Sequence, residues 1–231
     1  MPRVLITGSS RGIGFALTKV FAERGWNVVA TCRNPEGASM LHELVRSHGQ
    51  IRICELDVAD YNSIKGLKET LEDERIDVLL NNAGIYGENS GQNFGGLNYP
   101  SWRETFEVNT LGPIKMAETF FEQVQKSDRK IIATISTMMS SLTENFDGRH
   151  YIYRSTKAAL NMVLKNLSID MKPQGITVLI LHPGWVRTDM GGDEAPLSPS
   201  ESAIGLYEVI SNANLPDTGK FYAYDGRTIP W

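Results

Sequence analysis

Val4-Leu5-Ile6-Thr7-Gly8-Ser9-Ser10-Arg11-Gly12-Ile13-Gly14 runs from an apolar, β-branched stretch directly into a glycine-rich turn. Beyond it, Phe15, Leu17, Thr18, Phe21 and Ala22 recur with helical spacing. A chain leaving a strand for a helix must turn tightly. Glycines at such a turn let the backbone approach a pyrophosphate, whose charge is met by N–H groups at the helix N-terminus. The spacing here is GxxxGxG, and its position between strand and helix predicts phosphate binding on Gly8, Ser10, Arg11, Gly12, Ile13 and Gly14.

Working outward, similar apolar runs recur at residues 28–31, 51–56, 78–80, 131–135 and 177–181, and with residues 4–7 they read as six strands. Helical periodicity fills the gaps, as in Ile64, Leu67, Lys68 and Leu71. Strands that are largely apolar rather than alternating in polarity, with helices between them, predict a doubly wound α/β (Rossmann) fold: a parallel sheet with helices on both faces. No repeat, low-complexity tract or linker divides the chain, so residues 1–231 are expected to form a single dinucleotide-binding and catalytic domain. Two stretches break the pattern. Residues 87–100 are rich in Gly and Asn and suit a surface loop. Residues 186–200, with Gly191-Gly192, Pro196 and Pro199, follow the sixth strand at the ligand-binding edge and suit a mobile lid.

Composition narrows the function. With 41% hydrophobic and 22% charged residues the chain has the balance of a packed globular protein, which excludes disorder. The 23 Lys and Arg are outnumbered by 27 Asp and Glu, without a run of either sign, so nucleic acid is not an expected partner. The apolar stretch Val178-Leu179-Ile180-Leu181 is far shorter than the roughly 20 residues needed to span a bilayer, so no membrane association is expected. Met1-Pro2-Arg3 enters the first strand with no room for a cleaved leader, and the expected location is cytoplasmic. Cys32 and Cys54 make no disulfide framework, and His42, His48, His150 and His182 lack metal-ligand spacing, so no metal is expected.

Cofactor choice is read at the end of the second strand, where a carboxylate would bond the ribose of NAD and repel a 2′-phosphate. The chain has Ala30-Thr31-Cys32-Arg33 there, without an acid. Arg33 and Arg11 can converge on the extra phosphate, which favours NADP(H). Farther on, Tyr153-Arg154-Ser155-Thr156-Lys157 opens a helix, and the four-residue spacing puts phenol and ammonium on one face. A neighbouring positive charge favours the phenolate and is expected to lower the Tyr153 pKa toward the working pH of a proton donor.

These ordered motifs resemble the short-chain dehydrogenase/reductase family from end to end. The glycine turn matches its cofactor motif, Asp57 and Val58 in Leu56-Asp57-Val58 its adenine-side motif, and Asn82, Ala83 and Gly84 in Asn81-Asn82-Ala83-Gly84 the segment after the fourth strand. Asn109 matches the catalytic Asn, Tyr153 and Lys157 the YxxxK pair, and Pro183, Gly184, Val186 and Thr188 the nicotinamide-side segment. The C-terminal stretch, with Tyr224-Asp225-Gly226 and Ile229-Pro230-Trp231, resembles the branch of C-factor and sniffer-like carbonyl reductases.

The resemblance implies an NADPH-dependent carbonyl reductase acting on a small-molecule carbonyl or alcohol, assembled as a homo-oligomer. A catalytic hydroxyl would hold the carbonyl and Tyr153 would protonate the alkoxide. Lys157 would bond the nicotinamide ribose, and Asn109 would fix a water joining Lys157 to solvent. A nucleotide-binding regulatory protein of the C-factor type is the competing reading, and retention of Asn109, Tyr153 and Lys157 favours the enzyme. The hydroxyl itself has two candidates. Alignment on the fifth strand selects Thr137, whereas counting back about 13 residues from Tyr153, the family's usual interval before connecting loops vary, selects Ser140. The strand is the more rigid guide and favours Thr137, with Ser140 as the alternative. Tyr86, Met138, Met139, Phe146, Trp185 and Met190 are candidates to line an apolar substrate pocket.

Overall fold

A computed structural model describes residues 1–87 and 94–231. Seven strands form one parallel sheet: β1 (Arg3–Ile6), β2 (Asn27–Cys32), β3 (Ile51–Glu55), β4 (Val78–Asn81), β5 (Ile131–Ile135), β6 (Thr177–His182) and β7 (Phe221–Ala223). Their spatial order, β3-β2-β1-β4-β5-β6-β7, reverses direction between β1 and β4, so the chain winds outward on both sides of a switch point. Leu5 pairs with Val29 on one side and Leu79 on the other. Both faces of the sheet are covered, which is why its inner strands read as largely apolar runs, whereas the edge strand β3 carries exposed Arg52 and Glu55.

Helices α1 (Gly12–Glu23), α2 (Ser39–Ser47), α3 (Tyr61–Thr70), α4 (Tyr99–Phe106), α5 (Gly112–Gln125), α6 (Tyr151–Met171) and α7 (Pro199–Asn212) connect the strands. One core packs Val4, Ile6, Val28 and Leu179 against Leu17 and Phe21 of α1, Leu41 of α2 and Leu206 of α7. The other packs Leu5, Val29, Ile132 and Ile180 against Ile64 of α3, Phe120 of α5 and Leu160 and Leu164 of α6. Alternate residues of β1 thus go to opposite cores, the two-residue period of a strand buried on both faces.

The expected strands stand, with ends shifted by a residue. β1 ends at Ile6, and just beyond it the Thr7 hydroxyl accepts from the amides of Asn82 and Ala83, which ties the ends of β1 and β4 together. The seventh strand was not expected, being only three residues long and sitting at the edge of the sheet beside β6. The loop expected at residues 87–100 is shorter at its far end, since α4 begins at Tyr99 with the Asn98 side chain accepting from Ser101 N, and residues 88–93 lie outside the described residues. The lid expected at residues 186–200 likewise gives way to α7 at Pro199, whose start is fixed by the reciprocal Ser198–Glu201 capping box. Its remaining length is pinned by hydrogen bonds from Arg187 N to Leu197 O at 2.8 Å and from the Arg187 guanidinium to Ala195 O at 2.8 Å. Among the described residues no helix is long and apolar enough to cross a membrane.

Candidate active site

The glycine turn is built by close approach. Gly8 and Gly12 adopt φ of +70° and +57°, a region costly for side-chain-bearing residues. A Cβ on Gly14 would lie 2.1 Å from Gly8 O, so only glycine fits. The Asn82 amide donates to Thr7 O at 2.8 Å and Gly8 O at 3.1 Å, so this residue braces the turn from beneath. Its side chain is spent on the backbone, which leaves Ala83 and Gly84 as the parts of that segment facing the cleft without polar side chains.

At the start of α1, Arg11 occupies the N-cap with no side-chain cap bond, and no acid lies in the first turn. The helix end therefore presents uncapped N–H groups, the donor set that suits a phosphate. Arg33 is exposed and has no carboxylate partner among the described residues. Arg11 pairs with Asp189 at 2.8 Å, both side chains largely exposed. A Cβ on Gly12 would sit 3.3 Å from the Thr188 methyl, so the segment after β6 lies against the turn. Pro183 O accepts from Ser202 Oγ at 2.6 Å, Gly184 takes φ of +87° and Val186 is buried, which fixes the course of that segment. At the end of β3, Asp57 accepts from Ala59 N at 2.9 Å and Val58 is buried.

Tyr153 and Lys157 stand one turn apart on α6. The Lys157 ammonium is buried and donates to Ile135 O at 2.9 Å, which ties it to the end of β5 two residues before Thr137. Burial pushes its pKa down to about 8. The Tyr153 phenol is pushed above its ordinary value by burial, with Tyr86 adding to the effect. The lowering expected from Lys157 does not appear in the chain by itself, where burial holds the phenol above its ordinary value. The rings of Tyr86 and Tyr153 lie 4.8 Å apart, and Tyr86 OH lies 2.7 Å from His150 Nδ1. His150, at φ of +51°, is the N-cap of α6 and was not expected in the site.

Asn109 is in a wide π-helical turn, Glu107–Leu111, that joins α4 to α5. Such turns widen a helix where a side chain or carbonyl must be re-aimed. Its Oδ1 accepts from Ile85 N at 2.9 Å and its Nδ2 donates to Ile85 O at 2.8 Å. A Cβ on Gly84 would fall 3.2 Å from Asn109 Oδ1 and 3.6 Å from Lys157 Nζ. The absent side chain leaves a small polar space between the two.

The two hydroxyl candidates differ in what they already bond. Ser140 is buried, accepts from Asn161 Nδ2 at 2.7 Å and donates to Thr137 O at 2.5 Å. Its proton and one lone pair are used inside the protein. Thr137 Oγ1 accepts only from Met139 N, at 3.2 Å, and its proton is uncommitted among the hydrogen bonds of the described residues. Ser136 Oγ donates to Asn161 Oδ1 at 2.6 Å. Sequence reasoning missed Asn161, whose only signal is its place four residues after Lys157. Of the residues expected to line a substrate pocket, Met138, Phe146, Trp185 and Met190 are exposed, and Trp185 is oriented by its bond to Gly191 O at 2.8 Å.

Comparison with known proteins identifies the family. The sequence model of the short chain dehydrogenase family matches residues 2–196. C-signal of Myxococcus xanthus is 38% identical over 156 residues, covering 68% of this chain and 93% of that protein. A 1-hydroxy-2-glutathionyl-2-methyl-3-butene dehydrogenase of Rhodococcus sp. (strain AD45) is 29% identical over all of both chains. Among solved structures, the carbonyl reductase Sniffer of D. melanogaster superposes with a TM-score of 0.92 at 33% identity, covering all of both chains. The NADPH-bound carbonyl reductase from chicken fatty liver gives 0.92 at 31% identity, covering 100% of this chain and 99% of that one. With a family match running from residue 2 to residue 196 and relatives that align end to end, the chain belongs to the short-chain dehydrogenase family.

Proposed function

We propose that the protein is an NADP(H)-dependent reductase of aldehydes or ketones. The observation that carries this reading is the buried Lys157 ammonium on Ile135 O, which brings the Tyr153–Lys157 helix against the strand end that bears Thr137. The residues present suit the cofactor: an uncapped helix N-terminus after two left-handed glycines, no acid at the end of β2, and two exposed guanidinium groups, Arg33 and the Asp189-paired Arg11, that could meet a 2′-phosphate. Gly8, Ser10, Gly12, Ile13 and Gly14 would hold the pyrophosphate and Arg11 and Arg33 the 2′-phosphate. Asp57 and Val58 would flank the adenine, Ala83 and Gly84 the ribose, and Pro183, Gly184, Val186 and Thr188 the nicotinamide. Reduced nicotinamide supplies a hydride equivalent when bound.

The chain's own residues do the rest. The Thr137 hydroxyl donates to the substrate oxygen and stabilises the charge that grows there. Tyr153 passes its proton to that oxygen, a step its raised pKa in the isolated chain keeps ready by holding the phenol neutral. Lys157 stabilises the phenolate left behind, and Asn109 faces the small space through which a water can return the proton. The exposed apolar side chains of Met138, Phe146, Trp185 and Met190, on the segments that follow β5 and β6, favour a medium-sized hydrophobic aldehyde or ketone. The test is cofactor fluorescence on mixing the NADPH-loaded protein with a panel of such carbonyls. Loss of reduced-cofactor fluorescence is expected, and NADPH that binds yet stays reduced across the panel would overturn the reading in favour of a regulatory protein.

A further inference from the structure

Asn161 stands on α6 eight residues after Tyr153 and four after Lys157, so the three side chains share one stripe of the helix. It is buried, and both ends of its amide are directed at the segment leaving β5. Oδ1 accepts from Ser136 Oγ at 2.6 Å and Nδ2 donates to Ser140 Oγ at 2.7 Å. Ser140 then closes on Thr137 O twice, through its hydroxyl at 2.5 Å and its amide at 3.0 Å. One side chain therefore grips Ser136 directly and Thr137 through Ser140, the residues on either side of the peptide bond that aims the Thr137 hydroxyl.

Attachment of α6 to the sheet does not require this arrangement. Leu160 and Leu164 of the same helix are fully buried in the apolar core with Ile132 and Ile180. An apolar residue at position 161 would add to that adhesion, but without a direction. Two hydrogen bonds of opposite sense from one planar amide fix both the distance and the rotation of the strand end relative to the helix. We propose that Asn161 is a positioning residue that sets the Thr137 hydroxyl against the Tyr153–Lys157 pair. The inference rests on the reading of Thr137 given above.

The experiment is a double-mutant cycle of Asn161→Ala with Thr137→Val, using NADPH and para-nitrobenzaldehyde as the probe carbonyl. Asn161→Ala alone is expected to lower kcat about tenfold or more, since a displacement of about 1 Å at a reacting group can cost about a hundredfold. KM for the aldehyde and Kd for NADPH by fluorescence should stay within about threefold. In the Thr137→Val background the same change should cost less than about twofold, because nothing remains to be positioned. Ser140→Ala should repeat this pattern and Ser140→Thr, which keeps the hydroxyl, should retain most of kcat. Equal losses in both backgrounds would mark Asn161 as a packing residue only and overturn the inference while leaving the function standing. An unchanged kcat in Thr137→Val alone would overturn the reading of Thr137 together with this inference. Should Asn161→Ala not fold, the cycle of Ser140→Ala with Thr137→Val decides by the same criterion.

Discussion

The Arg11 guanidinium lies 2.8 Å from the Asp189 carboxylate, joining the glycine turn to the segment that follows β6. Both groups are largely exposed, so solvent and salt screen the pair and it holds the two segments together only weakly. In the cofactor complex proposed above, a 2′-phosphate beside Arg33 would offer Arg11 a doubly charged partner in exchange.

Cofactor preference follows from that exchange. NADPH is expected to bind clearly tighter than NADH, and Arg33→Ala or Arg11→Ala should each narrow the preference about tenfold, the value of one charge-assisted contact. Asp189→Asn should do the reverse, tightening NADPH about two- to fivefold with NADH unchanged, because Arg11 no longer has to leave a carboxylate. Titration of the four proteins by cofactor fluorescence checks this, and equal NADPH and NADH affinities in the unmodified protein would remove the assignment.

Tyr153→Phe deletes the proton donor and keeps the ring that packs beside Tyr86. Turnover should fall about 10²- to 10⁴-fold, the usual contribution of a general acid, with NADPH binding changed little. Steady-state kinetics beside a binding titration separate the two effects. Activity within a fewfold of the unmodified protein would make Tyr153 an ordinary helix residue.

The buried amine of Lys157 carries a pH dependence. Burial favours the neutral form and brings the pKa down to about 8, so the ammonium is present below that pH and lost above it. In the proposed mechanism it is the ammonium that stabilises the Tyr153 phenolate, so kcat/KM for NADPH, which reports the free enzyme, should be level below about pH 8. Above it the value should fall about tenfold per pH unit. A profile that stays flat to pH 10 would mean that the charge on Lys157 is not used.

What the sequence made legible was what local pattern encodes. Six strands announced themselves because both faces of the sheet are covered and every position of residues such as Leu79 and Ile180 had to be apolar. The glycine turn was legible because Gly8, Gly12 and Gly14 answer to backbone geometry rather than to partners. Long-range polar closure was not. Nothing near Asn161 in sequence signals that Ser136 and Ser140, more than 20 residues earlier, complete its amide. The Tyr86–His150 contact spans 64 residues and was equally hidden. The expected effect of Lys157 on Tyr153 had the right charge but lacked burial, which only the packed structure supplies. Counting left Thr137 and Ser140 open, and that Ser140 already spends its proton inside the protein was equally invisible in the sequence.

Acid sensitivity is expected from His182, the last residue of β6. Its Nδ1 is buried and finds no hydrogen-bond partner among the described residues, although the ring as a whole keeps partial exposure. Burial pushes its pKa down to about 4, with Asp225 opposing the shift and Arg227 adding to it. In the unfolded chain the imidazole returns to its ordinary value of about 6.5. Between those two values the unfolded chain binds a proton that the folded chain refuses, so stability is full above about pH 6.5 and declines as the pH falls toward 4. From pH 7 to pH 5 the loss from this one group should be about 2 kcal/mol at most, the partial exposure making that an upper figure. His182→Leu removes the titration and the unpaired nitrogen together. Urea unfolding of both proteins at pH 7 and pH 5 should show the variant losing less stability over that interval than the unmodified chain. Equal losses would place the acid sensitivity elsewhere, in carboxylates such as Asp217 and Asp225, whose pKa values are held down by their hydrogen bonds against the opposing effect of burial.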